Sequence, residues 1–326
     1  MKPSGLAIVA LSALLTVCTA QAQSYPTKQV RIISGVIAGG PGDTANRGAA
    51  ALLAQALGQP FTVENRLGAE GMIAGEACAR STPDGYTLCM FDGHEIALNP
   101  VIRTKMSYDP LRDMTPVMHL GFAAAAIIVH PSVPANSLQE LFALAKAKPD
   151  SINWGSSGLA SPSNLYIEWL KNAKGLRFHN VPYKSALQAM QAVLSGEIQV
   201  TSFVAGAVAP QVRAGKLKAL AVPTTQRSPY LPDVPTFKEA GMEVEIVTWF
   251  GLMAPTGTPR EIVQRLNTVL ARELFGNAAM REKYLIKPGT LALPPAGASP
   301  EVFGEFLKVQ REMYAGVVKV TGVRIE

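Results

Sequence analysis

The chain has 326 residues, 48% of them apolar and 17% charged, with a formal net charge of +6 at pH 7. That balance excludes an intrinsically disordered chain, and the length suits about two domains of ordinary size. Lysines and arginines are scattered, with no basic run interleaved with aromatic side chains, so no nucleic-acid partner is expected; a mild positive field suits small anions.

Residues 1–22 read as a secretion signal. Lys2 supplies the positive start, Leu6 to Val17 is apolar but short for a bilayer, and Ala20-Gln21-Ala22 has the small-x-small form of a cleavage site. Cys18 does not fit a lipoprotein site, because the bulky Val17 precedes it. No later segment is long and apolar enough for a membrane helix, so the mature chain, exported by its signal, is expected to be soluble outside the cytoplasm. Two cysteines then remain, Cys78 and Cys89. An oxidising compartment favours a disulfide between them, and two buried free thiols are the alternative that spacing leaves open.

Gln29 to Ile33 has the β-branched content of a strand, and Arg47 to Leu57 is rich in helix formers. Between them, Gly39, Gly40 and Gly42 lie in a strand-to-helix turn where backbone N–H groups can point at a ligand. With Asp43 or Thr44 as the expected N-cap, the unpaired amides of the first turn make a place to hold an anion. A turn that needs glycine for geometry alone is the plain alternative. Phe61 to Glu64 reads as a strand, Asn65 to Gly71 as a second glycine turn, Met72 to Ser81 as a helix and Tyr86 to Phe91 as a strand. Such βα alternation predicts a largely parallel sheet, with ligands at the carboxyl ends of its strands, where both glycine turns fall.

From Thr115 to Val129 the chain is nearly continuously apolar, and a crossover to a second domain is expected near Gly121 to Ala124. There follow a helix at Leu138 to Lys148, a strand at Ile152 to Trp154, and the loop Gly155-Ser156-Ser157-Gly158-Leu159-Ala160-Ser161. Ser161 as N-cap with Pro162 at the first helical position is a strong helix start, and the loop before it is a second anion cradle, or else an ordinary serine-rich turn. Phe178 to Val181, Gln199 to Phe203 and Ala219 to Val222 read as strands, and Leu187, Met190 and Leu194 form an expected core stripe on the helix between Ser185 and Leu194. Val247 to Ala254 is an apolar strand that can return to the first domain, and Arg260 to Phe275 and Pro300 to Val320 are amphipathic helices. A chain that leaves a domain and returns makes two connecting strands, which is hinge topology. The resulting division is 23–122 plus 247–326 as one domain and 123–246 as the other, with a ligand clamped between the cradles.

Catalytic groupings are not found. Gly155-Ser156-Ser157-Gly158 is followed by Leu159 where a nucleophile elbow needs glycine, and His94, His119, His130 and His179 show no metal spacing, so no metal, cofactor or catalytic residue is expected. His94 could line the cleft but reads better as a surface turn residue. The rival reading is an NAD(P)-dependent oxidoreductase: Gly40-Pro41-Gly42-Asp43-Thr44-Ala45 fits G-x-G-x-x-A, and Glu64 ends the next strand where a ribose-binding carboxylate belongs. Against it, Ser34 to Gly39 separates the strand from the turn, and an exported protein meets little nicotinamide cofactor.

Several blocks together resemble one family. They are Tyr25-Pro26-x-Lys28, Gly39-Gly40-x-x-Asp43, Val63-Glu64-Asn65-Arg66-x-Gly68-Ala69, Pro83-Asp84-Gly85-Tyr86-Thr87-Leu88, Tyr108-Asp109-Pro110, Val181-Pro182-Tyr183-Lys184, Ala214-Gly215-Lys216-Leu217, Leu231-Pro232-Asp233-Val234-Pro235-Thr236 and Trp249-Phe250-Gly251-Leu252. In number and order they are similar to the Bug/TctC solute receptors of tripartite tricarboxylate transporters. The resemblance implies a periplasmic binding protein, a monomer of two α/β domains joined by two hinge strands, closing on a small carboxylate and docking on membrane permease subunits. By position it implies ligand contacts from Val36, Ile37, Ala38, Gly39, Gly40 and Asp43, from Gly68, Ala69, Gly71 and Met72, and from Ser156, Ser157, Gly158 and Ser161. Phe203 stands where the family often has an Asp able to pair with an ammonium. The expectation is therefore an acid without an amino group, its longer or aromatic body lying on Phe203 and Met72.

Overall fold

In the computed structural model, which describes residues 25–123, 125–244 and 246–326, strands and helices alternate through both halves of the chain. The expected signal segment, with Cys18, lies outside the described residues. The first half contains β1 (Val30–Ser34), α1 (Pro41–Leu57), β2 (Phe61–Asn65), α2 (Met72–Ala79), β3 (Thr87–Asp92), the short helices α3 (Asn99–Ile102) and α4 (Pro110–Asp113), and β4 (Met114–Ala123). The middle holds β5 (Ala125–Val129), α5 (Leu138–Ala147), β6 (Asn153–Ser156), α6 (Pro162–Lys174), β7 (His179–Pro182), α7 (Ala186–Leu194), β8 (Val200–Val204), α8 (Ala205–Arg213) and β9 (Lys218–Ala221). Last come β10 (Thr248–Pro255), α9 (Arg260–Leu270), α10 (Ala278–Arg281), β11 (Thr290–Leu291) and α11 (Pro300–Thr321).

The strands form two sheets, ordered β11-β4-β10-β3-β1-β2 and β7-β6-β8-β5-β9. Each is parallel where βα units build it, β2-β1-β3 in the first and β7-β6-β8 in the second. The strands that carry the chain across, β4, β5 and β10, pair antiparallel instead, because a chain that leaves and re-enters a sheet must run back along it. Thr248 lies opposite Ala123 in the β10–β4 ladder, so the two crossings run side by side. Behind them, one cluster of buried side chains continues from Ile33 and Phe91 through Trp249, Phe303 and Tyr314 to Tyr166 and Trp154. It joins the sheets through α11 and α6, and the Tyr166 hydroxyl donates to the carbonyl of Ile246 at 2.6 Å.

Cys78 in α2 and Cys89 in β3 are joined as a disulfide, both fully buried. The expected stripe on α7 holds in part, since Met190 and Leu194 pack against a buried cluster of the second sheet. Leu187 is exposed, and the buried residues of that helix are Ala189, Ala192 and Val193, because the small side chains let α7 lie close to β6 and β8.

Candidate ligand-binding cleft

A cavity of about 510 Å³ opens between the sheets, floored by Ala123, Ala125 and Thr248 of the crossing strands and by Phe203 and Phe250. One wall is the turn from β1 into α1. That helix begins at Pro41, earlier than expected, with Gly40 as N-cap and no side chain capping it, so its first amides remain unbonded by side chains. Asp43 therefore sits in the first turn instead of at the cap. Its buried carboxylate accepts from the Gly39 amide at 3.0 Å, from Arg47 Nε at 2.8 Å and from Asn65 Nδ2 at 3.0 Å, while Asn65 also donates to the Val36 carbonyl at 3.0 Å. Burial works to raise this carboxyl, but Arg47, Gly39 and Asn65 outweigh it and hold it below the usual range. The network folds the loop back on itself. Gly42 has no alternative at its position: a Cβ there would lie 2.5 Å from the Phe250 ring that floors the cleft.

The facing wall is the turn from β6 into α6, and here the expected cap is found. Ser161 Oγ accepts from the amides of Ser157 (3.2 Å) and Asn164 (3.3 Å) and donates to the Gly158 carbonyl (2.8 Å). Ser156 donates to Asn180 at 2.7 Å, Asn180 to Asn164 at 2.9 Å, and Ser163 and Ser202 share a hydrogen bond of 2.8 Å. All of these groups are neutral.

A third, polar side comes from the end of β3. Asp92 Oδ1 accepts from the amides of His94 (2.9 Å) and Glu95 (3.2 Å), and Glu95 Oε2 accepts from the Asp92 amide (3.0 Å). His94 Nδ1 stands 3.6 Å from Asp92 Oδ1. Burial would raise Asp92 and lower His94, yet their mutual attraction wins, keeping the carboxyl low and the imidazole high. Glu95 is pushed well up by burial and then by the charge of Asp92. Its Oε1 occupies the space of two missing side chains, 1.9 Å from where a Cβ on Gly35 would stand and 2.0 Å from one on Gly71. The carboxyl thus fits between the two glycine turns. Glu70, paired with Arg103 at 2.5 Å, and Asn99 complete this side.

Of the residues expected from the sequence, Val36, Ile37, Gly40, Ser156, Ser157, Ser161 and Phe203 line the cavity. Ala38, Gly39, Asp43, Gly68, Ala69, Gly71, Met72 and Gly158 stand outside its wall. The reasons are local. The Gly39 amide is bonded to Asp43, Gly71 backs onto Glu95, Met72 packs against the buried cluster, and Gly68 is filled in by Ile73. His94 is a correction: it is no surface turn residue but a cavity residue with its side chain 19% exposed. With Glu70, Asp92, Glu95 and Asn99 it forms a side of the cleft that the sequence reading missed. The available signal was Asp92-Gly93-His94-Glu95 directly after a strand, a run of polar groups at the carboxyl end of a parallel sheet.

Comparison with known proteins matches residues 45–289 to the TctC model, the tripartite tricarboxylate transporter family receptor. The chain belongs to this family. Protein BugT of Bordetella pertussis is 31% identical over 307 residues, 94% of this chain and 93% of its own. Among solved structures, that of the periplasmic binding protein BugD superposes with a TM-score of 0.75 at 29% identity, covering 93% of this chain and all of BugD. A Rhodopseudomonas palustris protein solved with adipate gives 0.79 at 32%, covering 92% and 99%; MatC from the same organism, with bound malate, gives 0.75 at 30%, covering 90% and 100%. The resemblance read from the sequence blocks is borne out, and so is the two-domain α/β architecture of a periplasmic binding protein.

Proposed function

We propose that this TctC-family receptor captures a small carboxylate by closure of two lobes, 23–122 with 247–326 and 123–246, over the cleft. The observation that carries the reading is the pair of helix N-termini, at Gly40–Gly42 and Ser161–Ser163, that open into one cavity whose lining, among the described residues, contains no lysine or arginine. Amide groups and helix dipoles are then what remains to hold an anion. Because the two termini belong to different lobes, an anion touching both favours the closed form, which is the differential contact that closure requires. The adipate and malate of its structural relatives support this ligand class.

The ligand is a di- or aromatic carboxylate without an amino group. Phe203 offers a ring and no charge, and among the described lining residues Asp92 and Glu70 already face His94 and Arg103, while burial favours the neutral form of Glu95. The protein works in the periplasm after removal of residues 1–22, as a monomer that delivers its ligand to the membrane subunits of a tripartite transporter. The oxidoreductase reading is weakened because Glu64, its ribose carboxylate, pairs with Arg66 and Arg31 and stands outside the cavity wall.

Thermal unfolding of residues 23–326 against mono-, di- and tricarboxylates, amino acids and NAD tests the reading. A ligand at about a hundred times its Kd adds about 2.7 kcal/mol and raises the midpoint by about 5 °C. A shift with NAD and with no carboxylate would overturn the receptor assignment.

A further inference from the structure

On the polar side of the cleft, two of the buried atoms without a partner belong to residues that line the cavity, while Arg103 Nε and the Tyr108 hydroxyl, also unpartnered, belong to residues outside its wall. Of the lining pair, one is His94 Nε2, and the other is Oδ1 of Asn99, a residue with no exposed surface whose Nδ2 donates to the Glu70 carbonyl at 2.9 Å. Both residues line the cavity, one helical turn apart, since the Asn99 amide donates to the His94 carbonyl. Leaving a buried donor or acceptor unpaired is costly, so a ligand that satisfies both is favoured over one that does not. Nε2 of an imidazole whose Nδ1 faces a carboxylate offers a proton, and an amide oxygen accepts one.

The surroundings decide the charge of the group that fits. Asp92 stands against His94 and Glu70 against Arg103, two balanced pairs. Glu95 shares this corner with Tyr108 and Tyr314, each of which burial and a neighbouring carboxyl, Glu95 for the first and Asp92 for the second, push above the ordinary phenol range. Burial and the charge of Asp92 push Glu95 itself upward, toward its neutral form. A ligand anion placed here meets two carboxylates with no spare cation, and a ligand cation meets an imidazolium and a guanidinium.

Resting on the carboxylate-receptor reading, we propose that the His94–Asn99 corner recognises the ligand's second polar group in uncharged form, as a hydroxyl, a carboxamide or a protonated carboxyl. One carboxylate sits at the helix N-termini and the other end is neutral. A dicarboxylate therefore binds as its mono-anion: one of its carboxylates takes a proton from solvent, forming an O–H bond, and the complex gains one proton overall. A hydroxy acid or half-amide binds with none.

The experiment is calorimetric titration of the mature protein with dicarboxylates of four to eight carbons and terephthalate, each beside its half-amide, ω-hydroxy acid and plain monocarboxylate. Buffers of different ionisation enthalpy count the protons. The half-amide of the best dicarboxylate is expected to bind within about tenfold of it or tighter, the plain monocarboxylate about a hundredfold weaker than the half-amide, and the dicarboxylate to take up about one proton. His94→Leu should weaken the half-amide about a hundredfold and the monocarboxylate far less, so that the preference between them disappears, with circular dichroism and thermal unfolding showing that the variant folds. A dicarboxylate that binds without proton uptake and about a hundredfold more tightly than its half-amide overturns the inference and leaves the receptor reading standing. A monocarboxylate that equals the half-amide also overturns it. If no carboxylate of any kind binds, the receptor reading itself fails.

Discussion

The two walls of the cleft are built alike and stabilised differently. Each is a strand, a turn and the start of a helix, but the first is fixed by the charged set Asp43, Arg47 and Asn65, whereas the second is fixed by serine hydroxyls and asparagine amides. The contrast extends behind the walls. Among the described residues, the buried polar ones between 125 and 247 are all serines, threonines and an asparagine, while the first-sheet half buries Asp43, Glu95 and His119. The buried groups that answer to protons therefore lie in one half of this receptor, while the second wall of the cleft is fixed by groups that do not titrate.

His119 gives the largest expected effect. It is fully buried among Phe122, Trp249, Phe303 and Phe306, with both ring nitrogens unpartnered, and burial pushes it down to about 3. Because the folded state refuses a proton that the unfolded chain accepts near its ordinary 6.5, stability is full above that pH and falls as pH drops toward 3, by up to about 4 kcal/mol. Urea unfolding at pH 7 and 4 should show this loss, and His119→Leu should remove most of it. An unchanged pH slope in the variant would mean that His119 is not the acid-sensitive group.

The Asp43 network comes next. Asp43→Ala removes the acceptor that Gly39, Arg47 and Asn65 share and should cost about 2 kcal/mol, together with a loss of ligand affinity as the 35–42 loop loosens. Asp43 is held low when folded, so its stabilisation is present above about pH 4 and disappears as pH falls through its folded value. Amide exchange at Gly39 and Gly40 should follow that titration, while exchange at Ser157 and Gly158 should not. Equal pH responses in the two loops would erase the contrast.

The smallest change is in the second wall. Ser161→Ala removes one N-cap and should cost about 1 kcal/mol, the same at pH 5 and 8, because a hydroxyl carries no charge to titrate. A pH-dependent penalty would place an ionisable group in this wall after all.

The cap on α6 was legible from Ser161-Pro162 because a cap is a contact within one turn. The cap on α1 was misread at Asp43 for the same reason: its true partners, Asn65 at 3.0 Å and Arg47 at 2.8 Å, include a residue from the next strand, and spacing along the chain does not reveal it. His94 shows the limit from the other side. Asp92, His94 and Glu95 are polar residues around Gly93 that suit a surface turn, and what makes them a cleft wall is the approach of Gly35 and Gly71 to the Glu95 carboxyl.

By itself, then, the sequence determined the alternation of strands and helices, the glycine and serine turns, the crossing apolar segments and the membership of the TctC family. These follow from short-range propensity, periodicity and the order of local blocks. Only the tertiary structure decided which side of each turn faces the cavity, that Asp43 turns inward as a brace, and that the unpartnered buried atoms of His94 and Asn99 belong to a polar side of the cleft. Those outcomes depend on contacts between residues far apart in the chain, where the cost of burying an unpaired polar group settles what local preference leaves open.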